Sequence, residues 1–339
     1  MQALMEYLEI ALGGDTRADS INSNCFGDKK KFKLYLNAIG VLFDMDFIIF
    51  GLVSLGVVHG HPSVEPLVGD FTRFRRSVGS SPASVQDYPY VVSLRYAGGH
   101  FCGGTIISED IILTAAHCID DTSINFDLLY VKVGSDDVNF SGSWYKVAKM
   151  IKHEKFKEPT LTSGGRQALD DVALLKLSSP IKLNNVTTKA IELFGENDDV
   201  QNYKSGISAG WGNIPAIVED KSNSSVPLKK NGTELGEKKK KMKKITRLPS
   251  KLMHVKLNIA PKEKCAELDP SADLKNQFCT YTFGKKVCSG DSGGPFIIDR
   301  RQAGIVSWGN IRCSEDYNSG YFVEVAKYRK WIDEQMKTL

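Results

Sequence analysis

No stretch of this chain is apolar for long enough to cross a bilayer as a helix. The longest, FIIFGLVSLGVV at 47–58, has 12 residues, where a spanning helix needs about 20. None of the seven cysteines forms a CxxC pair, which speaks against a zinc ribbon or a redox dithiol. No metal-ligand cluster, phosphate-cradling loop or other cofactor motif appears, and no internal repeat; no cofactor and no metal are expected. The excess of positive charge is not spread out either. Residues 229–247, KKNGTELGEKKKKMKKITR, hold eight Lys and one Arg against two Glu, while the whole chain carries only +4. Without that segment the chain is mildly acidic, so its basicity does not argue for nucleic acid as a partner. What is present is ordinary for a soluble globular protein: 42% hydrophobic and 25% charged residues in a chain of 339, enough apolar material for one large core or two small ones.

Six of the cysteines lie after residue 100: Cys102, Cys118, Cys265, Cys279, Cys288 and Cys313. An even number suits a disulfide framework in an oxidising compartment. Four sequons, at Asn139, Asn185, Asn223 and Asn231, add weight to secretion. The apolar run at 47–58 has the length of a signal-peptide core, and VHG at 58–60 is a tolerable cleavage site; a buried strand or helix is the alternative. Met45 stands directly upstream of the run. Residues 45–60 are therefore expected to be a signal peptide, with 1–44 a misassigned or disordered N-terminal extension that carries the seventh cysteine, Cys25. A membrane-anchored form, with 41–58 as signal anchor, is disfavoured by Asp44 and Asp46, so no stable membrane anchor is expected.

From residue 77 onward, short runs rich in Val, Ile, Leu and Tyr alternate with Gly, Asn, Asp and Ser: YVVSLRY, IILTAA, LLYVKVG, VALLKL, GISAGWG, AGIVSWG. Such a pattern without intervening helices predicts an all-β sandwich or barrel. At the end, Val325, Tyr328, Trp331, Ile332 and Met336 recur at three-to-four-residue spacing and predict a terminal amphipathic helix.

Three stretches carry chemistry. LTAAHC presents His117, LDDVALLKL presents Asp171 at the head of an apolar strand, and CSGDSGGP presents Ser292 in a glycine-dense turn. Each alone has a plain reading: a packed core histidine, an acid that starts a strand, a turn. Taken together, in this order and wording, they resemble the chymotrypsin-like (trypsin family) serine proteases, over about 77–339. The resemblance implies an all-β fold of two antiparallel six-stranded β-barrels, with the active site between them and a C-terminal α-helix. It implies that Ser292 is the nucleophile, His117 its base and Asp171 the carboxylate that orients His117, with the N–H groups of Gly290 and Ser292 as the oxyanion hole. Asp170 is a rival by type, but the family pattern has the acid directly before VALL. Family pairing would join Cys102 to Cys118, Cys265 to Cys279 and Cys288 to Cys313. Ser307, Trp308 and Gly309 resemble the family's substrate-binding strand.

The same resemblance reads FTRFRRSVGSSP as a zymogen junction: 61–76 an activation propeptide, cleavage after Arg76, and a new amino terminus at Ser77 that pairs with Asp291. Ser77 stands where Ile is usual and Ser80 where Gly is usual, which predicts a looser active state. Lys286 falls at the base of the primary specificity pocket, where trypsin-type members carry Asp, and Gly309 and Gly320 leave its wall open. Trypsin-like specificity is therefore not expected. An ammonium there would select Glu or Asp before the scissile bond; alternatively Lys286 reaches solvent and the pocket takes apolar side chains, or Lys286 fills the pocket and weakens the enzyme. The Lys-rich insertion at about 216–247 is expected to be a solvated loop; binding an acidic partner, nicking by trypsin-like enzymes and retained non-coding sequence are the alternatives. The leading reading is a secreted, monomeric serine endopeptidase acting on polypeptide substrates, with an activating protease and a protein inhibitor as partners. The runner-up is a catalytically weak homologue acting as a binding or cofactor protein.

Overall fold

VVSLRY and GHFCGGTI are runs in which β-branched and aromatic side chains outnumber good helix formers, and they meet across the dipeptide Ala97-Gly98. Both residues of that dipeptide have positive φ, 47° and 83°, the backbone of a two-residue hairpin turn matched to strand twist. In the computed structural model, which describes residues 79–120, 125–162, 165–219, 242–309 and 319–339, these runs are β1 (Val91–Tyr96) and β2 (Gly99–Ile106). With β3 (Ile111–Thr114), β4 (Leu129–Val133), β5 (Ser143–Lys152) and β6 (Ala173–Leu177) they close an antiparallel barrel in the order β1-β2-β3-β6-β5-β4. Val92, Leu94, Ile106, Ile112, Leu113, Leu129, Val131, Leu174 and Leu175 are fully buried in it. All described residues fall in the second of two compact units, Val68–Leu339. The expected N-terminal extension, signal peptide and propeptide, with Arg76 and Ser77, lie outside the described residues, as does Cys313.

The second set of strands comprises β7 (Ser205–Gly210), β8 (Met253–Asn258), β9 (Gln277–Tyr281), β10 (Pro295–Ile298), β11 (Arg301–Gly309) and β12 (Ser319–Glu324). They pair in the order β8-β7-β10-β11-β12-β9, with Ser81–Pro82 added beside β8 and Glu192–Leu193 running parallel to β11. This corrects the expectation of two closed barrels: the second sheet curls without a closing ladder. Its ends meet only through a single bridge, Ile259 to Thr280. The physical reason lies beside that bridge. The Asn258 N–H, which a ladder would use, goes to the Thr282 hydroxyl at 2.7 Å, and the chain then turns into a short helix, α1 (Lys262–Leu268). Phe278, Phe296 and Phe322 fill the sheet's concave side, with ring centroids 4.9–5.2 Å apart.

The terminal helix is α2 (Val325–Thr338). Val325, Tyr328 and Ile332 are buried, and Trp331 and Met336 pack partly buried against the core, on the face the spacing predicts. Two further hairpins form two-stranded sheets of their own. Lys157–Thr162 pairs with Gly165–Leu169, and the latter strand leads directly into Asp170 and Asp171. The Lys-rich insertion begins and ends as strand: Ile214–Glu219 pairs antiparallel with Met242–Arg247. Ile214, Ile217, Val218, Ile245 and Thr246 supply the β-branched residues that a ribbon favours, and residues 220–241 lie outside the described part.

Candidate active site

His117 sits on a single 3₁₀ turn, Ala116–Cys118, at the end of β3. The turn is anchored on both sides. Ala115 and Ala116 are fully buried, and Cys118 is bonded to Cys102 on β2, with Cα atoms 6.2 Å apart. Asp171 is fully enclosed, at 0% exposure, and a buried carboxylate survives only when its lone pairs are taken. Here they are. Oδ2 lies 2.7 Å from His117 Nδ1 and accepts from the Ser307 hydroxyl at 2.6 Å, while Oδ1 accepts the His117 backbone N–H at 2.8 Å. Burial alone would raise the Asp171 pKa; the charge that His117 carries when protonated and these hydrogen bonds outweigh burial and hold it below the ordinary carboxylate value. An ionised Asp171 fixes the proton of a neutral His117 on Nδ1, which leaves Nε2 as the basic nitrogen. Asp170 does not compete: its Oδ1 accepts from the Tyr328 hydroxyl at 2.8 Å.

Ser292 lies in a turn whose glycines are dictated by space. A Cβ on Gly293, at φ +77°, would come 2.2 Å from Thr114 Oγ1 and 3.1 Å from the Ala115 nitrogen. The serine turn is therefore pressed against the strand that delivers His117. The Ser292 carbonyl accepts the Gly103 N–H at 2.7 Å, a second tie to β2. The N–H groups of Asp291, Gly293 and Gly294 are engaged by the carbonyls of Cys288, Val306 and Asp291. Among the described residues nothing accepts the N–H of Gly290 or of Ser292. Two unspent donors on either side of Asp291 in one turn can receive a developing negative oxygen.

Asp291 points away from this edge. Its carboxyl accepts the Gly212 and Cys288 N–H groups at 2.8 and 2.9 Å, and burial pushes its pKa up to about 6 in spite of them. His100 grips the same turn, its Nε2 3.0 Å from the Gly290 carbonyl and its Nδ1 2.8 Å from the Ser93 hydroxyl. Burial lowers the His100 pKa to about 4, so the ring is neutral near neutrality and donates from Nε2 to that carbonyl.

On the pocket side, Gly309 of β11 pairs with Gly320 of β12, and Trp308 stacks on Tyr321 with centroids 3.8 Å apart. Trp308 Nε1 donates to Gln277 Oε1 at 3.0 Å. A Cβ on Gly320 would meet Val287 Cγ2 at 3.0 Å, which places the wall glycine beside the segment carrying Lys286. Lys286 is buried, at 6% exposure. Cys265 is bonded to Cys279, and Cys288 is disulfide-bonded as well, its expected partner Cys313 lying outside the described residues. The one trio of metal-type donors among the described residues is Cys102, His117 and Cys118, but its two sulfurs are joined to each other and offer no thiolate.

Sequence reasoning missed three contributors. Ser307 reads from the sequence as substrate strand, yet its hydroxyl is on Asp171. His100 carries no signal beyond standing two residues before Cys102. Tyr328 reads only as one apolar position of a helix.

Comparison with known proteins agrees with the fold. The family described as Trypsin matches residues 77–332. Hypodermin-A of Hypoderma lineatum is 33% identical over 291 residues, 85% of this chain and 97% of its own length. Hypodermin-B of the same organism is 32% identical over 266 residues, 78% of this chain and 88% of its own. Trypsin alpha of Drosophila melanogaster is 30% identical over 260 residues, 76% of this chain and 86% of its own. With a family match over most of its length and relatives aligned along most of theirs, the chain belongs to the trypsin family of chymotrypsin-like serine endopeptidases.

Proposed function

We propose that the endopeptidase acts through Ser292, His117 and Asp171, and that it is secreted as a zymogen activated by cleavage after Arg76. The observation that carries the catalytic part is the fully buried Asp171 with its hydrogen bonds from the His117 ring, the His117 backbone and Ser307. A serine hydroxyl is a weak nucleophile near neutral pH. Nε2 of His117 takes its proton as the oxygen attacks the substrate carbonyl, and the resulting imidazolium is stabilised by Asp171. The carbonyl oxygen becomes negative and is received by the Gly290 and Ser292 N–H groups. Collapse of the intermediate returns the proton from His117 to the leaving amine and gives an acyl-enzyme, which water hydrolyses by the same route.

Activation is supported by the state of Asp291. A carboxyl enclosed with two backbone donors and a raised pKa is the group a new ammonium at Ser77 would stabilise most. Secretion is supported by the disulfides, the sequons and the apolar run at 47–58. For specificity, the family resemblance that sets Lys286 at the base of the primary pocket supports an acidic residue before the scissile bond, since a cation there attracts a carboxylate. The substrate is then a polypeptide cut after an acidic residue.

Two measurements test this reading. A fluorophosphonate should label Ser292 after cleavage at Arg76 and fail to label a His117→Ala variant; absence of labelling in the cleaved wild type would favour a catalytically weak binding homologue. A peptide panel varied at the residue before the scissile bond should show preference for Glu or Asp that disappears in Lys286→Ser. Preference for Phe, Tyr or Leu would mean that the pocket is apolar and Lys286 stays out of it.

A further inference from the structure

We propose that Tyr328, on the C-terminal helix, is a positioning residue for the Asp171 carboxylate and acts through Asp170; the proposal rests on the reading of Asp171 given above. The effect of Tyr328 is on the backbone from which Asp171 projects.

Asp170 has φ +48°, the left-handed region that a non-glycine residue occupies only where its surroundings hold it. Its main-chain carbonyl accepts the Val172 N–H at 2.9 Å, so Asp171 is the central residue of a three-residue turn. The direction of the Asp171 side chain is thus set by how Asp170 is held on one side and Val172 on the other. Val172 is fixed by its carbonyl, which accepts the His153 N–H at 3.0 Å. Asp170 is fixed by its side chain, through the 2.8 Å hydrogen bond from the Tyr328 hydroxyl.

The phenol is itself held. Tyr328 is 4% exposed, and its ring stands edge-on to His153, centroids 5.3 Å apart at 89°. His153 lies next to Trp331 as well, at 5.1 Å, and Trp331 Nε1 donates to Glu154 Oε2 at 3.0 Å. The helix is therefore fastened to the segment that also anchors Val172, and it reaches Asp170 with one donor. Burial and the Asp170 carboxyl push the Tyr328 pKa upward, so the hydroxyl keeps its proton throughout the working range. In this arrangement the last helix of the chain sets the orientation of a group at the centre of the molecule.

Tyr328→Phe is the test, because it keeps the ring packing and removes only the donor. Small misplacement of a reacting group costs rate rather than ground-state binding, so kcat should fall roughly tenfold with KM unchanged. The thermal midpoint and the fraction of sites counted by burst titration should stay at wild-type values. Asp170→Asn keeps an acceptor oxygen for the hydroxyl and should retain kcat. Asp170→Ala should lose as much as Tyr328→Phe, and the double variant no more than either, since both remove one interaction. Asp171→Asn provides the reference. If it is inactive while Tyr328→Phe equals wild type, the inference fails and the active-site reading stands. A loss in Tyr328→Phe that tracks a lower count of titratable sites, or additive losses in the double variant, would show a merely structural role and overturn the inference. Full activity in Asp171→Asn would overturn both.

Discussion

Ser307 shows how one hydroxyl joins two jobs. It lies on the strand that would bind substrate, and it donates to the carboxylate that would orient the base. Removing it leaves Asp171 with the two His117 donors only. A hydrogen bond to a buried charge contributes about 1.5–3 kcal/mol, which as a barrier change is a factor of roughly 10 to 100. Ser307→Ala is therefore expected to lower kcat by at least about tenfold at pH 7. The pH dependence has a definite sign. Asp171 is held below its ordinary pKa, so its contribution to stability is present above that value and is lost as pH falls through the folded one. With Ser307→Ala the folded value rises, and the acid edge of the stability curve, read by thermal melts from pH 2 to 5, should move upward. An unchanged acid edge would mean that the hydroxyl does not support the ionised carboxylate.

Much of the candidate site could be named from the sequence because the family wording of LTAAHC, DDVALL and GDSGGP sits in contiguous stretches. The choice of Asp171 over Asp170 needed only their order before VALL. Tyr328, His100 and the Asp171 role of Ser307 were not legible, since each acts across more than 100 residues of sequence or through a backbone carbonyl. Nothing local marks a tyrosine on an amphipathic helix as the donor to a strained aspartate 158 positions earlier.

Among the elements, the ribbon of Ile214–Glu219 and Met242–Arg247 departs most from what composition suggests. A Lys-rich, polar insertion reads as solvated loop, yet its ends carry enough β-branched residues to pair through six registered positions, ending at Glu219 opposite Met242. Among the described residues the ribbon forms a sheet of its own, joined by no ladder to the barrel or to the curled second sheet. Its base is another matter: Leu248 Cδ2 lies 3.2 Å from a Cβ position on Gly290, beside the proposed oxyanion hole. Because Glu219 and Met242 are paired, residues 220–241 can be replaced by Asn-Gly, the dipeptide suited to a two-residue hairpin turn. That excision should leave the thermal midpoint and the hydrolysis of short peptides within about twofold of wild type, since the entropy of closing a connection changes only slowly with its length. A large loss of short-peptide kcat would mean that the insertion supports the oxyanion turn through Leu248. The open second sheet was also beyond the sequence, because closure was decided by Thr282 taking the Asn258 N–H, a side-chain choice that strand patterns do not encode.

At the scale of the whole molecule, the proposed activation should reverse the sign of one pH dependence. In the uncut chain Asp291 is enclosed, and burial raises its pKa to about 6, against about 3.9 for an unfolded aspartate. The folded state then binds the proton more tightly than the unfolded state. The stability this contributes is complete below the unfolded pKa and is lost as pH rises through 6, by an amount on the order of 3 kcal/mol. Cleavage after Arg76 would supply an ammonium, pull the Asp291 pKa below its unfolded value and make the same carboxylate stabilising at neutral pH. His100, lowered to about 4 by burial, adds stability as pH rises over the same range, so Asp291 must be isolated by difference. Urea midpoints of wild type and Asp291→Asn, each before and after cleavage, would do this between pH 2 and 7. Before cleavage the wild type should lose stability relative to Asp291→Asn as pH rises, because the asparagine carries no charge to bury. After cleavage that loss should vanish between pH 5 and 7, and below about pH 4, where the unfolded aspartate titrates, the difference should run the other way, with wild type gaining as pH rises. The direction after cleavage also bears on Ser77, whose small side chain forgoes about 1.5–3 kcal/mol of apolar burial that Ile would bring. A slope that keeps its sign after cleavage would mean that the Ser77 ammonium does not reach Asp291, and activation would then have to order the serine turn by another route.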